Sequence, residues 1–251
     1  ERGADEGSAG RLLRVATRIA AARGAEEAPV LVLLSLAEAR RTGAAADEAI
    51  AWGVLALGLL ERTGWRRLTA AMLERPARHP AGAAWLRGCR GVLALLDGSP
   101  REAREALETA VEGLRSAGCG AEARQLLGAC ALAARDCGDL EGLKRSLRGE
   151  DERDPRVRAW SLVVAGWVAG LEGEDRRAKD LARAAADAAA DLGDGPLRAL
   201  ALARRAEAGG KGGDASARRD AQEALSVAGR GRSMLALEAR ILAAGALVAA
   251  G

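Results

Sequence analysis

Apolar and polar positions alternate with a helical period along most of the chain, and strand-like alternation is almost absent. The pattern is broken at short intervals by Gly24, Gly43, Gly64, Gly98, Gly118, Gly138, Gly173, Gly193 and the cluster Gly209–Gly213. The segments between these breakers predict about thirteen helices, most of them roughly three to five turns long, joined by short loops. Pro80, Pro100, Pro155 and Pro196 each stand where a helix should begin, a position whose N–H has no helical partner anyway. Asp154 is the expected N-cap before Pro155, and Ser99-Pro100-Arg101-Glu102 has the spacing of a capping box. Glycine at the opposite ends suits a left-handed C-cap. The best delimited pair is helix A, Pro80–Leu96, followed by helix B, Pro100–Ser116.

The pattern also repeats. Pro80, Trp85, Gly91, Gly98, Ala103 and Ala110 recur as Pro155, Trp160, Gly166, Gly173, Ala178 and Ala185, each displaced by 75 residues. Ala94/Ala169, Leu96/Leu171 and Gly118/Gly193 keep the same displacement. Midway, Gly138, Leu143 and Leu147 follow the order of Gly98, Ala103 and Leu107; upstream, Trp52 and Gly58 repeat the step from Trp85 to Gly91. The displacement therefore spans two units of roughly 34–41 residues, each a pair of antiparallel helices. Glycine inside a helix costs about 1 kcal/mol relative to alanine, so Gly91 is expected to let the axes of helices A and B approach closely. One such hairpin cannot bury its apolar face alone, whereas stacked hairpins can.

Composition agrees with helices and narrows the chemistry. The 251 residues are 49% hydrophobic and contain no Tyr and no Phe; Ala, Leu, Arg and Glu lose little entropy in a helix. A net charge of +3, with acids and bases interspersed, predicts no direct nucleic-acid binding. Arg66-Arg67 and Arg204-Arg205 read as solvated helix faces. Four cysteines, at 89, 119, 130 and 137, form no CxxC pair and are expected to be buried free thiols in a reducing cytoplasm. With His79 the only histidine, no metal site is expected, and no cofactor. The apolar runs Ala49–Leu60 and Leu162–Leu171 are too short to cross a membrane. The chain does not begin with Met and ends in ILAAGALVAAG, which suggests a piece of a larger protein.

The order of large residue, small residue, loop glycine, then small-large-small on helix B resembles the tetratricopeptide repeat. The residues that carry it are Trp85 or Leu162, Gly91 or Gly166, Gly98 or Gly173, and Ala103-Leu107-Ala110 or Ala178-Ala182-Ala185. The family's later helix-A aromatic is Ala94 or Ala169 here, its helix-B aromatic is Leu or Ala, and the units are long. Segments such as DGSPREAREALETAVEGLRSAG and CALAARDCGDLEGLKRSL resemble the repeat arms of large LuxR-type, MalT-like bacterial regulators. The resemblance covers residues 44–230, with 1–43 fitting as further helices without the full pattern. It implies an all-α fold, a right-handed α-solenoid of antiparallel helix pairs (a tetratricopeptide-like superhelix), and residues 1–251 are read as one helical-repeat domain.

It also implies a site. In the family, helix-A residues at the tryptophan position, and three and seven further on, tend to face the concave side. These positions are Trp85, Gly88 and Val92; Gln125, Gly128 and Leu132, with Arg135 a turn further; and Trp160, Val163 and Trp167. A groove so lined would take an amphipathic helix, an apolar peptide or a small hydrophobic effector. The tryptophans could equally fill contacts between units. Trp160, which repeats Trp85, is assigned to architecture, and Trp167, which replaces Val92, to ligand contact.

Catalytic motifs are missing. GGKGGD at 209–214 lacks the Ser or Thr of a phosphate-binding loop and reads as an inter-helix loop. His79 reads as a loop or cap residue, and Glu172–Asp175 beside Arg176-Arg177 as surface pairs. The expectation is a non-catalytic binding arm of a multidomain transcriptional regulator, or alternatively a tetratricopeptide-type interaction scaffold, with self-association through open solenoid ends as a further expectation.

Overall fold

The computed structural model describes residues 28–63, 65–145, 153–211, 216–229 and 233–249. Among them there are twelve α-helices and no strand. The chain divides into two compact units, Glu1–Cys137 and Gly138–Gly251. The first holds α1 (Ala28–Thr42), α2 (Ala45–Thr63), α3 (Arg66–Leu73), α4 (Pro80–Leu96), α5 (Pro100–Ser116) and α6 (Gly120–Asp136). The second holds α7 (Leu140–Arg145), α8 (Pro155–Leu171), α9 (Asp175–Asp191), α10 (Gly195–Lys211), α11 (Ala217–Ala228) and α12 (Met234–Ala249).

Within each unit, helices adjacent in sequence pack on one another. In the first, α1 packs on α2, α4 on α5 and α5 on α6; α4 also lies against both α2 and α3. In the second, α8 packs on α9, α9 on α10 and α10 on α11, and α12 rests on both α10 and α11. The core is aliphatic and small. Ala103, Leu107, Ala110 and Leu114 of α5 are fully buried, as are Ala185 and Ala189 of α9 and Leu197, Ala199 and Leu200 of α10.

One loop form recurs. A helix end is followed, directly at Thr42 and after one C-cap residue elsewhere, by a glycine with positive φ, and the next helix begins two residues after the glycine. This holds at Gly43, Gly98, Gly118, Gly138, Gly173 and Gly193, with φ between 66 and 80°. At Gly98 the N–H of Ser99 donates to Ala94 O at 2.9 Å and that of Gly98 to Leu95 O at 3.2 Å. At Gly173 the corresponding bonds are Glu174 to Ala169 at 2.8 Å and Gly173 to Gly170 at 3.4 Å. These two bonds satisfy carbonyls that a helix end leaves open. Any residue but glycine is strained at such φ. The 75-residue sequence repeat thus extends to the backbone: Pro80 and Pro155 both open helices of 17 residues, and Gly98 and Gly173 both close them, at φ 78 and 80°.

Several caps match the sequence reading and one does not. Asp154 Oδ1 accepts from Arg156 and Val157, at 2.9 and 3.4 Å, and His79 Nδ1 accepts from Ala81 at 3.2 Å. Ser99 is the N-cap of α5 but makes no side-chain capping bond. Its own N–H already closes the preceding helix onto Ala94, so the site to which the box glutamate would reach back is occupied. The expected loop at 209–214 also differs. Helix α10 runs on through Gly209, Gly210 and Lys211, with Gly209 buried; 212–215 lie outside the described residues, as do the breakers Gly24 and Gly64.

Candidate functional site

The eight predicted groove residues divide between the units. Trp85, Val92, Gln125, Leu132 and Arg135 belong to the first, and Trp160, Val163 and Trp167 to the second. Trp85, Leu132, Trp160, Val163 and Trp167 are buried, none more than 5% exposed; Val92, Gln125 and Arg135 are half-buried.

Trp85 is set by its neighbour on α2. Its Nε1 donates to Ile50 O at 3.1 Å, and its ring fills the space left by the missing side chain of Gly53. A Cβ on Gly53 would come within 2.8 Å of Cys89 Sγ and of the indole. Gly88, one turn on, faces Leu126 of α6 in the same way. Close approach therefore occurs between successive A-type helices as well as within a hairpin. Arg135, at the end of α6, pairs with Asp136 at 2.6 Å.

In the second unit Trp160 and Trp167, two turns apart on α8, meet edge to face with ring centroids 6.4 Å apart and planes at 66°. This is a favoured aromatic geometry. The guanidinium of Arg204 on α10 lies 5.3 Å from the Trp167 centroid. The same guanidinium reaches Glu207 at 2.7 Å and Glu238 of α12 at 3.5 Å. Arg204 therefore joins α8, α10 and α12. Its neighbour Arg205 makes two bonds to Asp220 of α11, at 2.9 and 2.6 Å, with side-chain exposures of only 17% and 5%.

Arg204-Arg205 is thus a correction to the solvated-face reading. Both arginines bury their stems among alanine-rich helices and keep their heads paired. No local sequence signal marks them, because Arg204 lies 37 positions from Trp167 and Arg205 15 from Asp220. Arg66, by contrast, is exposed and pairs with Asp97, also donating to Leu96 O at 3.2 Å.

Trp52 stands at the repeat position that Trp85 occupies in the next unit. Two guanidinium groups lie over its ring, Arg75 at 4.3 Å and Arg40 at 5.6 Å from the centroid. Arg40 also pairs with Glu48 at 2.9 Å, which holds that carboxyl below its ordinary range.

The four thiols are free, but only Cys89 and Cys130 are buried; Cys119 and Cys137 cap the two ends of α6 and are partly exposed. The expectation of four buried thiols fails because helix caps sit at the surface. Burial raises the Cys89 thiol strongly and pushes Cys130 up to about 12, Glu108 adding to the latter.

The charged stretch after Gly173 forms a shallow open depression lined by Glu174, Asp175, Arg176, Arg177 and Leu181. Arg177 and Glu174 pair there at 2.8 Å, as the spacing predicts.

Among the described residues no cluster of three or more His, Cys, Asp or Glu could hold a metal ion, and no helix is long and apolar enough to cross a membrane. Large apolar side chains are nevertheless exposed: Val30, Leu33 and Leu34 on α1, Trp65 and Leu68 at α3, and Ile241 and Val248 on α12. Compared with known proteins, the sequence matches no family model and no curated relative.

Proposed function

We propose that this chain is a non-catalytic binding module built as a right-handed α-solenoid, serving as the sensor or interaction arm of a cytoplasmic multidomain regulator. The observation that carries this reading is the repetition at 75 residues, which reaches from Pro80/Pro155 and Trp85/Trp160 to matching left-handed glycines. Repeated hairpins expose an extended surface instead of enclosing one reaction site. The carboxylates support the same view. Asp139, Asp154 and Asp194 cap helices, and Glu174, Asp220 and Glu238 hold arginines.

Burial of Trp160 and Trp167 favours a structural role for both rings and shifts ligand contact toward surfaces that remain open. The partner would be a protein segment, a peptide or a small apolar effector, and the apolar residues exposed on α1 and α12 would serve self-association.

The test is a thermal-shift titration of the purified chain against panels of peptides and apolar small molecules. A ligand at a hundred times its Kd should stabilise the chain by about 2.7 kcal/mol, a rise of several degrees. Hydrolytic or transfer activity in this chain alone would overturn the proposal. The full-length gene separates its two forms: a nucleotide-binding domain and a helix-turn-helix flanking this segment mark a regulator's arm, and their absence marks a scaffold.

A further inference from the structure

The span Arg66–Asp97 holds six arginines against two acids, Glu74 and Asp97, within a chain whose whole excess is +3. The positive charge of the molecule is therefore concentrated on α3, the following turn and α4. Helix α4 has no acidic residue at all, and Ala83, Arg87 and Arg90 form an exposed stripe along it that continues to Asp97. Asp97 itself is neutralised by Arg66, whose bonds to Asp97 and Leu96 seat the start of α3 beside the end of α4. Arg90 lies two turns before Asp97, about 10.5 Å along the axis.

At the end of this stripe, where Arg66 meets Asp97, the residues flanking Arg66 in sequence include two exposed apolar side chains. Trp65 precedes α3 and is 59% exposed; Leu68, one turn on, is 43% exposed. Arg67 is exposed beside them. At the matching positions 75 residues on, Arg87 and Arg90 are replaced by Leu162 and Ala165. The two arginines are therefore particular to this unit and are not demanded by the repeat.

We propose that the α3–α4 face docks an acidic peptide segment that also carries apolar side chains; this rests on the binding-module reading. Trp65 and Leu68 supply the apolar anchor. Arg67, Arg87 and Arg90 supply planar donors that match carboxylates two at a time. Exposed Trp and Arg are the residues most enriched where protein partners bind. A membrane surface fits less well, because two side chains insert less apolar area than a single acyl chain, itself a marginal anchor. A nucleic-acid strand would need a series of stacking rings, and this face has one.

The experiment is selection of a random 12-residue peptide display library on the full chain. The best peptides are then titrated, by fluorescence anisotropy, into wild type, R87E/R90E, W65A and the charge-matched control R176E/R183E. Circular dichroism melts of each variant report on folding. Selected sequences should be rich in Asp and Glu with Leu, Ile or aromatic residues. Binding should fall about tenfold or more in R87E/R90E, fall in W65A, hold in the control, and weaken as salt rises.

Peptides without acidic bias that bind R87E/R90E as well as wild type would overturn the α3–α4 assignment and leave the binding-module reading standing. An empty selection would overturn the peptide assignment. So would phosphatidylserine vesicles or single-stranded DNA held by wild type and released by R87E/R90E. An empty selection together with a flat thermal-shift titration would overturn both readings.

Discussion

Arg204 stacks on Trp167 across two helices, its guanidinium carbon 5.3 Å from the ring centroid, while Trp167 meets Trp160 edge to face at 6.4 Å. A ring 5% exposed, covered by a cation and by another indole, is placed to hold helices together. Trp167→Ala is therefore expected to destabilise the second unit by about 3–5 kcal/mol, the usual result of emptying a large buried site. Arg204→Ala should cost about 1–2 kcal/mol through loss of the stack and of its carboxylate contacts. Urea unfolding of the two single variants and the double variant would show a coupling of about 0.5–1.5 kcal/mol. Strict additivity would mean that the stack contributes nothing.

The pair Arg205–Asp220 differs in kind. Two parallel bonds in a site nearly closed to water leave each partner dependent on the other. Removing one partner strands a buried charge, so Asp220→Ala or Arg205→Ala should each cost about 3 kcal/mol. Replacing both by apolar residues, as in R205M/D220L, removes the stranded charge along with the pair. Thermal melts should place that double variant well above either single truncation. A double variant as unstable as the singles would show that packing around the arginine stem matters more than charge.

What could be read in the sequence was whatever is specified locally. Pro80 and Gly98 bracket a helix because each acts on its own backbone dihedrals, and their 75-residue partners did the same. Trp85 was legible as a repeated position, and it is buried. Arg204 and Arg205 were not legible: an arginine on a helix reads as solvated until the facing helix is placed, and Trp167, Glu238 and Asp220 come from three other helices. The same holds for Ser99, whose N–H was claimed by the helix before it. The exposure of Trp65 had no signal either, since a tryptophan in a loop-to-helix junction is as often core.

The thiols make a prediction about alkaline pH. Burial raises Cys89 and pushes Cys130 up to about 12, against an ordinary value of 9.0. Between these values the unfolded chain releases the thiol protons and the folded chain keeps them. Stability then falls as pH rises, by roughly 1.4 kcal/mol per pH unit for each thiol. Below pH 8 both states are protonated and the contribution is whole. Melting temperatures from pH 8 to 10.5 should decline less steeply in C89A/C130A than in wild type. At pH 8 a thiol reagent should modify the half-exposed Cys119 and Cys137 quickly and the buried pair only on unfolding; fast modification of all four would mean that this core opens readily.

Gly91 and Gly166 occupy equivalent positions on α4 and α8, yet they should respond oppositely to alanine. A Cβ on Gly91 would lie 2.8 Å from Leu107 Cγ and 3.1 Å from Ala103 O, a backbone atom that cannot step aside. At Gly166 the nearest atoms, Ala178 O and Leu181 Cβ, are 3.6 Å away, ordinary contact distance. Alanine improves helix propensity at both sites by about 1 kcal/mol. At Gly91 that gain is outweighed by overpacking of about 1–3 kcal/mol, so Gly91→Ala should lower the melting temperature. Gly166→Ala meets no such penalty and should raise it by a few degrees. The sequence expectation that Gly91 serves close packing thus holds, since Leu107 fills the space; at Gly166, Ala182 stands in for Leu107 and leaves room. Equal losses at the two sites would show that α8 and α9 approach as closely as α4 and α5 do.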